Sequence, residues 1–447
     1  MGKKFGYTAF ITLILLLCLV PSLGMLLPRE EAGAGGNQVI APSPSWKDGD
    51  GNLNKAYFSQ LLDYVEDNHF LHQEMISAWS ALNVKALHTS IAENVILGKN
   101  NWLYFGETLP DYTGTGRMTE QEISAAARNL ALMAEYCENQ GMQFLFTVAP
   151  NKNSLYPENM PEFTVASGAR NAETLAAALE KEGVPYLDLF AVFRNEDETL
   201  YFTQDSHWNS KGAALAADAV NGALGRASSY FEGPFAPAET HRSDLYEMLC
   251  PTGTDYEVNP EYSGALDFTY DVPIRSAENL TIMTTGSGGG SLLMFRDSFG
   301  NLLYPYLADS FEHALFSRAT AYRLDLAAQR EADAVVVELV ERNLGYLLQN
   351  VPVMPAPVRE LPEGWDTWGS GVGFELEPSD ALPGYALFTG PVTLNSQAST
   401  APDAGPPILV FASDSQYYEA FVLEDGRFGL YLPEDVRPLG ISYNTAA

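Results

Sequence analysis

One seven-residue run decides the fold: Gln143-Phe144-Leu145-Phe146-Thr147-Val148-Ala149. An apolar run of this length, bounded by turn residues, is typical of a buried β-strand. A helical pattern over about 119–139 precedes it and stops at Gly141. A buried strand that directly follows a helix is the first indication of an α/β fold.

The same alternation continues along the chain. Helical patterns cover 169–182 and 211–224, and a strand is predicted over 184–189. Three further apolar runs predict strands at 291–295, 314–316 and 334–339. Such alternation predicts βαβ units, and hence a mostly parallel sheet flanked by helices on both faces. In such sheets, ligands bind beyond the carboxyl ends of the strands.

Two regions flank this alternating core. Before it, a helix is predicted over 54–87, with an apolar face formed by Phe58, Leu61, Leu62, Val65, Phe70, Ile76, Trp79 and Leu82. After it, the proline-rich stretch 351–357 predicts a linker. Beyond it the helical period disappears, and a hairpin is predicted to turn at Asp425-Gly426. We therefore predict an α/β catalytic domain over 53–350 and a small β-rich module over 360–447.

The N-terminus predicts export. Lys3 and Lys4 precede the stretch 5–28, which has no charged residue and is long enough to cross a bilayer. Basic residues before it and acidic residues after it favour a cytoplasmic N-terminus. A signal anchor over 1–28 and a linker over 29–52 are predicted. The alternative is a signal peptide, with 32–34 as a small-residue cleavage site. Either way the rest of the chain is extracytoplasmic, anchored to the cell membrane or secreted after cleavage.

Charge and cysteine content exclude some classes of function. In a chain of 447 residues, 25 Lys and Arg face 57 Asp and Glu, giving a net charge of −32. This balance argues against nucleic acid, which is bound by basic patches. The cysteines are Cys18, Cys137 and Cys250, with no CxxC or HExxH spacing, so neither a metal site nor a cofactor is predicted. A disulfide between Cys137 and Cys250 stays open.

Two segments carry the groups of a serine nucleophile system. Asp205 stands two positions before His207, ahead of the helix predicted over 211–224, and Ser298 follows the strand predicted over 291–295. Serine is a poor nucleophile unless a base accepts its proton and a third group orients that base. We predict Ser298 as nucleophile, His207 as base and Asp205 as the orienting carboxylate. The N–H groups of Ser298 and Phe299 are predicted to hold an oxyanion.

Four nearby residues are predicted to contact substrate. Asn151 and Lys152 follow the strand over 143–149, and the alternative is that they only cap a turn. Trp208 offers a ring for stacking on a sugar, or packs in the interior. Arg296 is suited to a carbonyl or an anionic sugar, or pairs with a carboxylate. Asp297 is left out of the triad, because alternation along a strand points it away from Ser298.

Four blocks between about residues 90 and 345 carry a family resemblance: 97–104, 148–157, 205–209 with Gly212 behind it, and 296–299. Asp-x-His comes first and the serine last, whereas ordinary SGNH esterases carry the serine near the N-terminus. In these features the chain resembles the SGNH-like O-acetyltransferases of bacterial exopolysaccharide systems, a group that includes the periplasmic alginate O-acetyltransferases, and the DHHW-type exported proteins. The resemblance implies an SGNH-hydrolase-like domain with Asp205, His207 and Ser298 as its triad.

The resemblance also implies a reaction. The expected activity is transfer of an acetyl group, through an acetyl-serine intermediate, to hydroxyls of a cell-envelope polysaccharide or exopolysaccharide. The acetyl group is expected from a partner, a membrane-bound O-acyltransferase. Two alternatives stay open: a carbohydrate esterase that uses the same triad with water as acceptor, and a non-enzymatic glycan-binding envelope protein.

Overall fold

The structure is a computed structural model that describes residues 7–12, 14–15, 19–20, 41–49, 51–365, 373–391 and 407–443. Contacts divide the chain into two compact units. The N-terminal unit comprises Met1–Gly106, Thr203–Ser206 and Glu239–Glu257. The main unit comprises Glu107–Phe202, His207–Ala238 and Val258–Ala447.

The helices are numbered in chain order from residue 57 onward. They are α1 Tyr57–Asn68, α2 His72–Leu82, α3 Leu109–Thr113, α4 Glu120–Asn139, α5 Lys152–Leu155, α6 Asn171–Glu182, α7 Leu189–Arg194, α8 Ser210–Ala223, α9 Asp244–Leu249, α10 Gly300–Ser310 and α11 Leu324–Gln329. A π-helical turn covers Asn83–Leu87, and 3-10 turns cover Gly106–Thr108, Pro157–Asn159, Glu341–Leu348 and Glu424–Gly426.

The strands are β1 Val95–Leu97, β2 Leu103–Phe105, β3 Gln143–Ala149, β4 Tyr186–Leu187, β5 Phe235–His241, β6 Glu257–Tyr262, β7 Phe268–Tyr270, β8 Thr281–Gly286, β9 Ser291–Phe295, β10 His313–Ser317, β11 Ala334–Val340, β12 Val358–Arg359, β13 Glu375–Glu377, β14 Tyr385–Pro391, β15 Ile408–Ala412, β16 Tyr417–Leu423, β17 Arg427–Pro433 and β18 Pro438–Tyr443.

The main unit is built on a seven-stranded sheet with the order β4-β3-β11-β9-β10-β8-β7. The pairs from β4 to β10 are parallel, whereas β8 and β7 join antiparallel at one edge. The mostly parallel sheet predicted from the sequence is therefore confirmed. Because the carboxyl ends of β3, β11 and β9 lie at one edge, the residues that follow them meet there.

Both faces of this sheet are buried, as parallel sheets require. On β3, Phe144 and Phe146 point into one hydrophobic cluster, and Leu145 points into the other. The first cluster includes residues of α4 and α6, and the second includes residues of α8 and α10. Alternation along each strand thus supplies two cores from one apolar run.

Helix α4 begins and ends at residues that the sequence marks. Thr119 caps its first turn in a capping box with Glu122, and Gly141 takes a φ of +76° just beyond its end. Helix α6 ends in the same way at Gly183, which has a φ of +71°. These helices and the strands at 143–149, 291–295 and 334–340 match their predicted positions. The strand predicted over 184–189 is shorter, because Asp188 caps α7 instead.

The C-terminal part of the main unit forms a second, antiparallel sheet with the order β13-β14-β17-β16-β15-β18, to which β12 adds through β16. The predicted hairpin is present as β16 and β17. Val353 and Met354, in the predicted linker, are buried in the same cluster as Phe421 of β16. The domain boundary between 350 and 360 stays a prediction.

The N-terminal unit contains α1, α2, α9 and the β1–β2 hairpin. One helix was predicted over 54–87, but the chain breaks at Leu71, which has a φ of +64°. Phe58 on α1 is 74% exposed and Trp79 on α2 is 57% exposed. The periodicity therefore predicted helix correctly, but the apolar face is not buried. Cys250 in this unit and Cys137 in the main unit are free thiols.

Most of the apolar stretch over 5–28 lies outside the described residues, as does most of the linker predicted over 29–52. Among the described residues, no helix is both long enough and apolar enough to span a membrane.

Candidate active site

His207 lies on a short antiparallel ladder in the main unit. The Phe202 N–H donates to the His207 carbonyl at 3.2 Å, and the Asn209 N–H donates to the Leu200 carbonyl at 2.9 Å. Asn209 also caps the first turn of α8. A Cβ on Gly212 in that turn would lie 2.4 Å from the Leu200 carbonyl oxygen, so only glycine allows this approach. Ladder and cap together fix the backbone that carries His207.

Ser298 lies on the turn between β9 and α10, beyond the carboxyl end of a central strand. Its Oγ is 2.9 Å from Nε2 of His207, which is a hydrogen-bond distance. The imidazole also packs against the Phe299 ring, with 4.8 Å between the ring centroids. The structure thus brings together the predicted nucleophile and the predicted base, which are 91 residues apart in sequence.

Trp208 joins these two loops. Its indole Nε1–H donates to the Phe299 carbonyl at 3.1 Å, and its ring stacks on Phe193 with 5.7 Å between centroids. The side chain is fully buried. Of the two roles that the sequence left open for Trp208, a sugar contact and interior packing, the buried ring favours packing. Its position instead ties the backbone next to His207 to the backbone next to Ser298.

Asp297 anchors the Ser298 turn to the end of β11. Its Oδ1 accepts from the Phe299 N–H at 2.9 Å, and its Oδ2 accepts from the Val340 N–H at 2.8 Å and from Asn343 Nδ2 at 3.0 Å. The Asp297 N–H in turn donates to the Glu338 carboxyl group at 3.3 Å. These bonds engage both carboxylate oxygens of Asp297 in holding the turn.

This anchoring corrects one prediction about the oxyanion donors. The Phe299 N–H was predicted to bind an oxyanion, but it donates a hydrogen bond to the Asp297 carboxylate. Helix α10 begins one residue later, at Gly300. The Gly300 N–H has no intrahelical acceptor, because the first N–H groups of a helix never do. The N–H groups of Ser298 and Gly300 are therefore the better candidates.

Asp205 belongs to the N-terminal unit. Its buried carboxylate accepts two hydrogen bonds on Oδ2, from Nε2 of His241 and from the Asp244 N–H, both at 2.9 Å. Asp244 accepts from the Ser206 N–H at 2.8 Å and from its Oγ at 2.6 Å. His241 is a residue that the sequence analysis did not select.

Asn151 and Lys152 follow β3 as predicted, and both are buried. Asn151 donates through Nδ2 to Asp111 at 3.0 Å and through its N–H to Glu341 at 3.1 Å. Lys152 donates through Nζ to the Phe202 carbonyl at 3.1 Å. Lys152 therefore supports the ladder that carries His207. A substrate contact by either residue stays a prediction.

Arg296 is buried next to the Ser298 turn. Its guanidinium donates to Asn301 Oδ1 and to the Ala277 carbonyl, each at 2.6 Å. A Cβ on Gly300 would lie 2.5 Å from the Arg296 Cδ, so glycine leaves room for the arginine side chain. Burial lowers the pKa of Arg296. Its substrate contact also stays a prediction.

The sequence analysis did not select three buried or partly buried carboxyl groups that lie near these strand ends. Glu341, just after β11, accepts from Ser154 Oγ at 2.5 Å, and its other oxygen lies 3.4 Å from Arg170 Nη1. Burial raises the pKa of Glu341. Burial, and then the neighbouring Glu341, raise the pKa of Asp111 to about 8. Burial likewise raises the pKa of Glu338 well above its ordinary value.

The raised pKa of Asp111 predicts that the protein loses stability as the pH rises. Below pH 3.8 both folded and unfolded chains are protonated at this carboxyl group; above it, the unfolded chain releases a proton that the folded chain keeps until about pH 8. The free energy of unfolding should therefore fall across this window and level off above it. Urea unfolding midpoints, measured at several pH values between about 5 and about 8, test this.

An Asp111→Asn variant keeps the shape of the side chain and removes its proton equilibrium. We expect its unfolding midpoint to fall less over the same pH range, while Asp197→Asn, at an exposed aspartate, follows the unmodified chain. If the urea unfolding midpoints of the Asp111→Asn variant and the unmodified chain fall equally with pH, the pKa of Asp111 is not raised.

Part of this chain is similar to known proteins. Residues 95–270 match the family model described as SGNH hydrolase-like domain, acetyltransferase AlgX. A probable alginate O-acetylase AlgJ from Pseudomonas syringae pv. tomato is 26% identical over 252 residues, which cover 55% of this chain and 61% of that protein. A protein of the same description from Pseudomonas fluorescens is 24% identical over 169 residues, covering 37% and 42%. The chain thus spans about three fifths of the first relative's length and about two fifths of the second's.

Among solved structures, a DHHW family protein from Eubacterium siraeum aligns with a TM-score of 0.42 and 17% identity, covering 55% of this chain and 89% of that one.

The family match includes Asp205 and His207 and ends before Ser298. The family model and the observed sheet agree with the predicted fold class, an SGNH-hydrolase-like α/β domain followed by a β-rich module. Over residues 95–270, the predicted resemblance to the SGNH-like polysaccharide O-acetyltransferases is therefore confirmed.

Proposed function

We propose that this protein is an extracytoplasmic O-acetyltransferase that acetylates hydroxyl groups of a polysaccharide through an acetyl-serine intermediate. The observation that carries the proposal is the 2.9 Å distance between Ser298 Oγ and His207 Nε2. A base at this distance can accept the serine proton as the oxygen attacks. The match of residues 95–270 to an acetyltransferase domain supports transfer of an acetyl group.

The reaction has two half-reactions. In the first, Ser298 Oγ attacks the carbonyl carbon of an acetyl donor, His207 takes the serine proton, and the leaving group departs with that proton. In the second, His207 takes the proton of a sugar hydroxyl, whose oxygen attacks the acetyl-serine. The sugar ester leaves and Ser298 regains its proton. Asp205 is proposed to hold the imidazole in the tautomer that this cycle needs.

Negative charge develops on the acetyl carbonyl oxygen in both half-reactions. The N–H groups of Ser298 and Gly300 lie at the start of α10 and are proposed to hold this oxyanion, since the end of a helix with free N–H groups favours negative charge. Arg342, whose guanidinium lies 5.6 Å from the centroid of the Phe299 ring, adds positive charge beside the turn.

The relatives support a polysaccharide as the acceptor. Two relatives are named as probable alginate O-acetylases, which supports a polysaccharide acceptor here.

The N-terminal apolar stretch supports an extracytoplasmic location and membrane attachment. We propose a membrane-bound O-acyltransferase partner as the source of acetyl groups, because acetyl groups made in the cytoplasm must cross the membrane to reach the site.

Transfer can be separated from hydrolysis by an acceptor assay with the full chain in detergent. The donor is p-nitrophenyl acetate, and the acceptors are neutral and uronate oligosaccharides. Because the chain carries a net charge of −32, which repels anionic acceptors, the assay is run at about 0.15 M salt. We expect mass spectrometry to show sugars that gain one acetyl group, with Ser298→Ala giving none.

Release of acetate at a rate independent of every sugar would instead identify an esterase and contradict transfer. A chain that releases no acetate and forms no acyl-serine would contradict an enzymatic role. A glycan-binding protein would then be the better explanation, provided that the chain retains oligosaccharides in the same buffer.

A further inference from the structure

The carboxylate of Asp205 contacts His241, a histidine that the serine mechanism does not require. His241 ends strand β5, and its Nε2 lies 2.9 Å from Oδ2 of Asp205. An ionised carboxylate only accepts hydrogen bonds, so Nε2 carries the proton in this contact. Asp205 is buried, whereas the His241 side chain is 25% exposed. A buried carboxylate therefore receives an imidazole donor from the surface side.

The position of the loop over 203–206 does not depend on this bond. Glu257 accepts hydrogen bonds from the N–H groups of Thr203 and Gln204, and Asp244 accepts from both the N–H and the Oγ of Ser206. These contacts hold the backbone on either side of Asp205. What His241 adds is a bond to the carboxylate itself, which restricts rotation of that group.

Two hydrogen bonds to the Asp205 carboxylate end on the same oxygen. The Asp244 N–H and His241 Nε2 both donate to Oδ2. Two donors on Oδ2 restrict the plane of the carboxylate, and the proposed triad assigns Oδ1 to His207. A single backbone donor would let the group turn about its bond to Cβ, because a terminal sp³–sp² torsion is broad.

We propose that His241 is a positioning residue for acetyl transfer, which it supports by holding the Asp205 carboxylate in the orientation that the triad needs. This inference rests on the proposed function, since an orienting carboxylate matters only if His207 serves as base. His241 itself touches neither Ser298 nor the substrate in this scheme. It acts through Asp205 and should therefore affect turnover more than acceptor binding.

The test compares His241→Leu with His241→Gln in the full chain. Leucine fills space but donates no hydrogen bond. Glutamine places an amide N–H donor at nearly the reach of Nε2. We expect His241→Leu to lower kcat by about 10- to 100-fold, the range for a lost hydrogen bond to a charged group, with KM for the acceptor within about twofold. His241→Gln should recover kcat to within about threefold of the unmodified chain.

The matched control is His313→Leu, at a histidine of the main unit that is 61% exposed, and it should leave kcat unchanged. If His241→Leu turns over as fast as the unmodified chain, the inference is wrong. It is also wrong if leucine and glutamine lower kcat equally, since only shape or folding would then matter. The unmodified chain is first tested for an acyl-serine at Ser298. If none forms, the proposed function itself is rejected, and the two His241 variants are not compared.

Discussion

His207→Ala is expected to slow covalent labelling of Ser298 by a sulfonyl fluoride by roughly 10²- to 10⁴-fold, the usual contribution of a general base. The reason is the 2.9 Å contact between Nε2 and Oγ, since no other group on the turn is placed by this structure to take the serine proton. Asp297, the adjacent carboxylate, is engaged on both oxygens by other donors. Labelling is followed by intact-protein mass spectrometry, and the labelled residue is identified by peptide mapping.

The control for this experiment is His313→Ala, at an exposed histidine on β10, which should label at the rate of the unmodified chain. His207 also packs against Phe299, so its removal takes away a packing contact as well as a base. Circular dichroism therefore checks that each variant is folded. A folded His207→Ala variant that still labels at full rate would remove His207 from the mechanism. Labelling at a serine other than Ser298 would remove the nucleophile assignment.

The sequence predicts those parts of this fold that depend on neighbours in the chain. Helix α4 was predicted from its apolar period, from Thr119 before it and from Gly141 after it, all within about thirty residues. Strand β3 was predicted from one apolar run. The break at Leu71 was not predicted. Positive φ is usual for glycine and frequent for asparagine, and Leu71 is neither, so the local sequence contains no signal of the break.

The site was predicted in its chemistry but not in its contacts. His207 and Ser298 were selected because serine chemistry needs those residue types, and the fold brings them to hydrogen-bond distance. The link between Asp111 and Glu341 joins residues 230 positions apart, which no local pattern reveals. The bond between His241 and Asp205 spans 36 residues and was missed for the same reason. The burial of Trp208 depends on how Phe193 and Phe299 pack around it, which the local sequence does not reveal.

Glu419→Ala is expected to cost about 1.5–3 kcal/mol in the free energy of unfolding, the range for lost hydrogen bonds to charged groups, because Arg128 and Arg359 each keep a second carboxylate. Glu419 lies on β16 with its side chain 1% exposed. It accepts two bonds from Arg128, at 2.6 and 2.8 Å, and one from Arg359 at 2.7 Å. Arg128 lies on α4, so this carboxylate ties the C-terminal sheet to the helix beside the main sheet. Without it, Arg128 keeps only Glu182 and Arg359 keeps only Glu135 as a carboxylate partner, and the link through Glu419 is lost.

Urea unfolding of the full chain measures this loss, with Glu198→Ala as the matched control. Glu198 also pairs with an amine, that of Lys211, but its side chain is 54% exposed, so its removal should cost no more than about 1 kcal/mol. A triple variant, Arg128→Met, Arg359→Met and Glu419→Leu, removes these three charges together and leaves Glu182 and Glu135, which are 33% and 37% exposed, to water. It should recover most of the stability, because apolar groups of similar volume replace buried ion pairs at little cost. If Glu419→Ala unfolds at the same urea concentration as Glu198→Ala, the ion pairs contribute nothing, and apolar contacts such as those of Phe421 must hold the C-terminal sheet in place.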